Sequence, residues 1–275
     1  MSEIEVAVSF RCSQEELAFL LAQQAVSTLA GFRGVPPEDE VEGNDTAVQA
    51  IIMRGLLAKG FAQPQPQGKV VIDQTLSKIL SFCIYPQHVV TLVNRLENEA
   101  GMQMELYYVL EELAVRQYQP IRGVYDFTLV QSVPDFVSLI STRVAEIAPQ
   151  PEIGQQGNWC LPQTAWRESQ AHVAAKERSQ AVFASAGLPG GVAEALAASL
   201  ADPDLQLYVQ VTSVGTAVTH QSLTLLLGVN HLWVLSTPPP TAGQPASVAI
   251  QAAETETLIA QLTALFASLA PNNQP

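Results

Sequence analysis

Alternating apolar and polar residues recur in two separated regions of the chain and predict β-strands. A period of two is typical of a strand with one buried face. The first region is introduced by Pro86 and the second by Pro203, and in each a further apolar run starts 20 residues after the proline. The apolar runs lie at 89–93 and 106–110 in the first half and at 205–211 and 223–227 in the second. The pattern therefore predicts one strand-rich unit used twice.

The amino-terminal region carries an additional strand and helix. Residues 4–10 alternate, which predicts a strand, and Ser13 with Glu16 forms an S-x-x-E capping box at the start of a helix. Gly31 is the expected end of that helix. The segment 4–30 has no counterpart that we can identify ahead of the second unit.

The remaining elements follow one order in both halves: a helix ending in glycine, a short helix, a proline-led strand, three more strands and a long helix. In the first half we expect helices at 45–60, from Asp73 to 83 and after Pro134, with strands near 88–96, 103–112, 114–118 and 124–132. In the second half we expect helices at 164–186, 191–201 and near the C-terminus, with strands near 205–213, 219–228, 230–236 and 246–251. The matching positions are Gly60 with Gly187, Pro86 with Pro203, Leu106–Leu110 with Leu223–Leu227, and Leu129 with Ile250.

These elements predict an α+β fold in which two similar units, each an antiparallel sheet with helices, are related by pseudo-twofold symmetry. Residues 148–163 are rich in proline and glycine and form the expected boundary. The predicted organisation is an N-terminal half at 1–147, a linker at 148–163 and a C-terminal half at 164–275. A second low-complexity stretch at 62–68 is expected to bridge two helices without regular structure.

Composition restricts the function more than it identifies it. The chain has 275 residues, of which 13 are basic and 26 acidic, giving a net charge of −13. Such a surface repels phosphate backbones and anionic lipid, so nucleic acid is not an expected partner. Three scattered cysteines, an acidic amino terminus and the lack of a long apolar run predict a soluble, cytoplasmic protein without membrane insertion.

Candidate chemistry is sparse, and we predict no catalytic, cofactor-binding or metal site. The histidines have no metal-ligand spacing, the cysteines form no C-x-x-C pair, and no nucleotide or hydrolase motif occurs. Glu111 and Glu112 are adjacent on a predicted strand, so they point to opposite faces. Trp159 lies within the linker and Trp166 just after it, and both are expected to pack this segment onto the body. The histidines are His88, His172, His220 and His231.

One stretch connects this pattern to a known family. The helix end Arg54-Gly55-Leu56-Leu57-Ala58-Lys59-Gly60, the Asp-started short helix, the proline-led strand and the repeat of that unit resemble the EspG family of type VII (ESX) secretion. The resemblance implies a pseudo-twofold α/β fold and a non-catalytic, cytosolic chaperone or adaptor for secreted PE–PPE pairs. The implied partner is a helical client protein, and no binding residue is carried over.

Two other functions stay open from the sequence. The chain could be an enzyme of unknown reaction, with a site between the halves. It could also be a winged-helix-like transcriptional regulator, because helices 45–60 and 73–83 precede a strand pair. The would-be recognition helix offers little basic charge beyond Lys78, which weakens that reading.

Overall fold

The computed structural model describes most of the chain as two compact units. It describes residues 8–32, 45–66, 70–96, 103–111, 113–130, 138, 157–203, 205–214, 218–228, 231–237 and 245–267. Unit 1 comprises Met1–Val89 and Glu105–Val133, and unit 2 comprises Val90–Met104 and Pro134–Pro275. The division thus differs from the predicted halves, because residues 90–104 group with unit 2.

Unit 1 combines three helices with an antiparallel sheet. Strand β7 pairs with β1 on one side and with β6 on the other, and β6 pairs with β5. Strands β2 and β3 form a separate two-stranded sheet. The elements are β1 (Ser9–Ser13), α1 (Gln14–Gln23), α2 (Asp45–Ala58), β2 (Ala62–Pro64), β3 (Val70–Ile72), α3 (Gln74–Ile84), β4 (His88–Leu96), β5 (Gln103–Leu110), β6 (Leu113–Ile121) and β7 (Val124–Val130), with most of β4 in unit 2.

The core of unit 1 lies between its sheet and its helices. Leu17 of α1, Leu56 of α2 and Leu80 of α3 are fully buried in one cluster with Phe127 of β7. The rings of Phe10 and Phe127 stack with their centroids 4.7 Å apart, which joins β1 to β7 on the helix side.

Unit 2 has its own antiparallel strands and helices. Its strands follow the order β4-β9-β10-β11-β12-β8, and the neighbours from β9 to β8 pair antiparallel. Trp166, Phe183 and Leu196, one from each of its first three helices, are buried with Trp233 of the sheet. The elements are β8 (Gly157–Pro162), α4 (Gln163–Ala171), α5 (Lys176–Ser185), α6 (Gly190–Ala201), β9 (Leu205–Ser213), β10 (Thr219–Gly228), β11 (His231–Ser236), β12 (Ser247–Ala252) and α7 (Thr255–Ala267).

The predicted α+β class with antiparallel sheets is confirmed, and one expectation about the linker is wrong. Gly157–Pro162 forms β8, so strand β8 with helix α4 is the counterpart of β1 with α1. Each helix begins directly after its strand, and in each the N–H of the first helix residue donates to a backbone carbonyl far away in the sequence. The Gln14 N–H donates to the Gly123 carbonyl at 2.8 Å, and the Gln163 N–H donates to the Ala246 carbonyl at 2.9 Å.

The predicted long helix at 164–186 is also wrong, because the chain folds back between α4 and α5. The rings of Trp166 and Phe183 stack with centroids 6.2 Å apart. At 1.5 Å per residue, a continuous helix would separate them by roughly 25 Å. The tertiary aromatic contact is therefore incompatible with one helix.

Strand pairing corrects two of the predicted matches between the halves. Leu110 pairs with Leu113 across a tight turn, and Gly228 pairs with His231 in the same way, so Leu110 corresponds to Gly228 rather than Leu227. Likewise Leu129 opposes Val115 while Ala252 opposes Trp233, so Leu129 corresponds to Ala252 rather than Ile250. Loops of different length shift these registers, which sequence offsets alone cannot detect.

Several local bounds also differ from expectation. The first described strand runs from Ser9 to Ser13 rather than over 4–10, and residues 1–7 lie outside the described residues. Helix α1 ends at Gln23, well before Gly31, and Ala25 follows it with a positive φ of 57°. The low-complexity bridge contributes strand β2. The predicted turn at 98–101 and nearly all of the helix after Pro134 lie outside the described residues.

Candidate functional site

The residues singled out for chemistry are dispersed rather than gathered. Among the described residues, no group of three or more His, Cys, Asp or Glu side chains is placed to hold a metal ion. His88 begins β4, where burial lowers its pKa. His172 follows α4, the His220 Nδ1 lies 3.0 Å from Thr212 Oγ1, and the His231 ring stacks on Trp233.

The acidic pair and the two tryptophans are explained by local structure. Glu111 sits in the β5–β6 turn with a φ of 55°, not on a strand, and Glu112 lies outside the described residues. Trp166 is buried against Phe183, and Trp159 packs against Trp233 with ring centroids 6.3 Å apart. Trp159 and Trp166 therefore pack β8 and α4 against the rest of unit 2, and packing is the role that the sequence predicts for them.

An open groove of about 530 Å³ runs along helix α6 in unit 2. The charged or titratable residues in its lining are Lys176, Glu194, Asp202 and His231. Ser199 lies in the wall, but its hydroxyl donates to the Ala195 carbonyl at 3.0 Å and accepts from Trp233 Nε1 at 3.1 Å. Since both roles of this hydroxyl are occupied, it ties α6 to the sheet and is not poised as a nucleophile.

The predicted capping box is present and begins a buried polar cluster in unit 1. Glu16 N–H donates to Ser13 Oγ at 3.2 Å, and Ser13 N–H donates to Glu16 Oε2 at 2.9 Å. Although Glu16 is only 6% exposed, Lys59 Nζ reaches the same carboxylate oxygen at 2.5 Å. Burial, and after it the nearby Glu16 charge, raises the pKa of Cys12 to about 12.

The Arg54–Gly60 stretch supplies the other side of this cluster. At Gly55, a β-carbon would lie 2.7 Å from Glu16 Oε1, so only glycine lets α2 approach the carboxylate this closely. Lys59 then pairs with Glu16, and Gly60 ends the helix with a φ of 73°. These residues attach the C-terminal half of α2 to α1.

The N-terminal half of α2 has the opposite character. Residues 47–51 are all exposed, including Val48 at 37% and Ile51 at 66%. Val48, Ile51, half-buried Ile52 and Gly55 are spaced at i, i+3, i+4 and i+7, so they lie along one side of the helix. The spacing of Val48, Ile51, Ile52 and Leu56 places these four residues on one face of the helix, and of them the structure fully buries only Leu56.

Helix α5 of unit 2 provides a position-by-position counterpart of α2. Both helices are followed by a glycine with positive φ, Gly60 and Gly187. In both, the N–H of the residue after this glycine donates to the backbone carbonyl of a buried helix residue. Phe61 donates to the Leu56 carbonyl at 2.8 Å, and Leu188 donates to the Phe183 carbonyl at 3.2 Å.

This alignment places Arg178 at the position of Ile51, and both side chains are exposed. Helix α5 begins at Lys176, level with Gln49, so it lacks the turn that carries Val48. The exposed start of α5 is charged, with Lys176, Glu177 and Arg178. Unit 2 therefore has a charged side chain where unit 1 exposes Ile51, whereas Ile52 packs against the unit 1 core and its counterpart Ser179 is buried.

Comparison with known proteins identifies a fold but no family. The chain is similar to EspG5 of Mycobacterium tuberculosis, a type VII secretion system chaperone whose structure was solved in complex with the PE25–PPE41 dimer. The TM-score is 0.66 with 14% sequence identity, over 98% of this chain and 99% of that chain. No protein-family model and no curated protein matches the sequence. The likeness shows that this chain has the EspG5 fold.

Proposed function

We propose that this protein is a non-catalytic, cytosolic chaperone or adaptor that holds a helical client protein, in the manner of a type VII secretion chaperone. The observation that carries the proposal is the likeness to EspG5 along nearly the full length of both chains. In that structure, EspG5 is bound to a protein dimer. Because a fold can serve several functions, the partner-binding role is a proposal and not a consequence of the fold.

One feature of the described residues supports protein binding. Val48 and Ile51 of α2 are exposed aliphatic side chains on one side of the helix, and exposed apolar faces are common at protein interfaces. No helix among the described residues is long and apolar enough to cross a bilayer. A charge of −13 further disfavours nucleic acid as the partner.

The proposal includes an internal duplication, with a first half at 1–147 and a second half that begins with β8 at 157 rather than at 164. It is supported by a shared order among the described residues of 9–130 and 157–252, one strand, three helices and four strands, with the short pair β2–β3 added between α2 and α3 in the first. It is supported further by the same pairing of the first strand with the last, β1 with β7 and β8 with β12.

Co-purification from the native host tests the proposed function. A tagged full-length chain is recovered at several salt concentrations, and complexes are resolved by size-exclusion chromatography with mass measurement. We expect one helical protein or helical dimer at stoichiometric amount, and we expect that client to aggregate when expressed without the chain. Failure to recover any stoichiometric protein at every salt concentration would contradict the proposal.

A further inference from the structure

We propose that strand β8 pairs antiparallel with β8 of a second copy of this chain, so that the sheet of unit 2 continues into its partner. This goes beyond the proposed function, because it concerns a sheet edge and a like chain rather than the client. It starts from a comparison of β8 with β1, its counterpart in unit 1.

Alternate residues of β8 direct their backbone groups away from β12. Strand β8 pairs with β12 on one side and ends the order of described strands on the other. The bond from the Gln163 N–H to the Ala246 carbonyl fixes the alternation, so Asn158, Cys160 and Pro162 face outward. All three are exposed, and within the described residues no hydrogen bond reaches the outward N–H or C=O of Asn158 or Cys160.

Side chains occupy the same edge of β1. The bond from the first residue of α1 gives β1 the same alternation, so its outward residues are Ser9, Arg11 and Ser13. Glu16 Oε2 accepts from the Ser13 N–H at 2.9 Å, and Lys59 Nζ lies 3.5 Å from the Arg11 carbonyl oxygen. The polar junction of unit 1 therefore takes up outward backbone groups of its first strand.

The edge of β1 is charged as well, because the Arg11 side chain pairs with Asp126 of the neighbouring strand. Charged side chains and occupied backbone groups keep sheet edges from pairing with other chains. Unit 2 has none of these four residues at the equivalent positions. Cys160, Ala165, Ala186 and Ala249 stand where unit 1 has Arg11, Glu16, Lys59 and Asp126.

A twofold axis at Cys160 pairs the three outward residues of one strand with the same three of the other. The two Cys160 residues then exchange their N–H and C=O groups, and each Asn158 N–H meets the carbonyl of the partner's Pro162. Pro162 lacks an N–H, which leaves only the Asn158 carbonyl to solvent. Every outward donor of both strands thus finds an acceptor, and twofold pairing is the commonest symmetry of homo-oligomers.

The chemistry at this edge permits a like chain despite the acidity of the protein. Strands β8 and β12 contain no charged residue, so the net charge of −13 comes from other parts of the chain. Exposed charges more than about 8 Å apart are largely screened at physiological salt. Because one short strand is a small interface, we expect a dimer that forms at high protein concentration and strengthens with ionic strength.

Sedimentation equilibrium of the full chain, over a range of concentrations and at two ionic strengths, tests the proposal. Asn158→Pro removes an outward N–H that β12 does not use, and Ser9→Pro makes the same change at the equivalent position of β1. Cys160→Pro removes the central donor, whereas Cys160→Ser keeps the backbone intact. Circular dichroism checks that each variant is folded.

We expect Asn158→Pro and Cys160→Pro each to raise the dimer dissociation constant at least about tenfold, since each removes two intermolecular hydrogen bonds. Ser9→Pro and Cys160→Ser should change it less than about twofold. These two controls separate loss of the β8 edge from general weakening of a strand and from loss of the thiol.

Cross-linking with a short bismaleimide gives a readout that does not depend on the proline variants. Cys160 is the one exposed cysteine of the three in the chain. Its Cα would lie about 5.5 Å from that of the partner's Cys160 in this pairing. We expect a covalent dimer from the wild type and none from Cys160→Ser.

Four results would overturn the proposal. They are a wild type that stays monomeric at every concentration, a dimer that both β8 proline variants leave unchanged, a dimer that Ser9→Pro dissociates, and a dimeric sample that does not cross-link at Cys160. If the proline variants do not fold, the mass and cross-linking of the wild type decide the question. Recovery of a client tests the proposed function separately, since a monomer can still carry a client.

Discussion

The two units join their first and second helices at equivalent positions with different chemistry. Unit 1 places the Glu16 carboxylate against Gly55 and pairs it with Lys59. Counting from the shared helix starts and glycine ends, unit 2 has Ala165, Val182 and Ala186 at those three positions. Leu17 and Leu56 of unit 1 correspond to Trp166 and Phe183, which stack in unit 2.

From this difference we infer that the junction requires filled volume and not a particular interaction. An ion pair with a buried carboxylate gains specific geometry but incurs a desolvation cost, whereas an aromatic pair contributes through buried area. Residues outside the junction are then less constrained by folding. This freedom allows unit 1 to expose Ile51 where unit 2 exposes Arg178.

The largest expected contrast between the units is in thiol reactivity. Cys12 and Cys83 of unit 1 are buried, and burial raises the pKa of both thiols, whereas Cys160 of unit 2 is exposed. We expect Cys160 to react with a disulfide reagent at pH 8 at least about a thousandfold faster than the other two. Titration of the native protein measures the rate at which its thiols react with the reagent, and titration of the denatured protein gives their total number. Cys160→Ser should abolish the fast phase in the native protein. Two fast thiols in the native protein would contradict the prediction.

Truncating the two apolar junctions should destabilise unit 2 more than unit 1. Phe183→Ala removes a buried ring stacked on Trp166, for which we expect a loss of about 4 kcal/mol, against about 3 kcal/mol for Leu56→Ala. Urea unfolding followed by circular dichroism gives both values, with Ala181→Gln as a surface control near zero. A larger loss for Leu56→Ala would reverse the proposed contrast.

Exchanging the polar junction tests whether its chemistry is replaceable. Gly55→Val should cost about 2 kcal/mol, because its β-carbon would meet the buried Glu16 carboxylate at 2.7 Å. The triple variant Glu16→Ala/Gly55→Val/Lys59→Ala introduces the unit 2 residues. It should return to within about 1 kcal/mol of wild type, since an ion pair with one exposed partner, here Lys59, contributes little to stability. If unfolding shows the triple variant less stable than Gly55→Val alone, the two junctions are not interchangeable.

The smallest effect concerns the first position of β4. His88 has a pKa lowered from 6.5 by burial, and the equivalent residue after Pro203 is Leu205. Below about pH 6.5 the unfolded state takes up the proton first. The free energy of unfolding should therefore decrease as the pH is lowered from about 6.5 to the lowered pKa of the folded state. His88→Leu should reduce the loss of unfolding free energy between pH 7 and pH 5. An unchanged pH dependence in this variant would show that His88 does not contribute.

Local signals in the sequence predict a substantial part of this fold. Ser13 and Glu16 cap α1, Asp73 caps α3 through a 3.0 Å bond from the Leu76 N–H, and Gly60 ends α2, because each depends on residues within one helical turn. The alternating runs likewise locate β4 and β9, since one-sided burial imposes a period of two.

Long-range contacts account for what the sequence does not predict. The break between α4 and α5 depends on Trp166 meeting Phe183, and β8 depends on its pairing with β12. The sequence does not predict the exposure of Val48 and Ile51 for a different reason. An apolar helix stripe has the same sequence pattern whether its own domain or a partner covers it. The match of Gly60 with Gly187, which the sequence pattern already predicts, places Arg178 at the position of Ile51, so this signal is present in the sequence.

Hydrogen–deuterium exchange of the full chain, alone and saturated with the client recovered by co-purification, tests the central claim most directly. The account predicts that client binding slows exchange in residues 47–53 of α2 and leaves the matched segment 176–180 of α5 unchanged. Slower exchange at 176–180 with no change at 47–53 would contradict it.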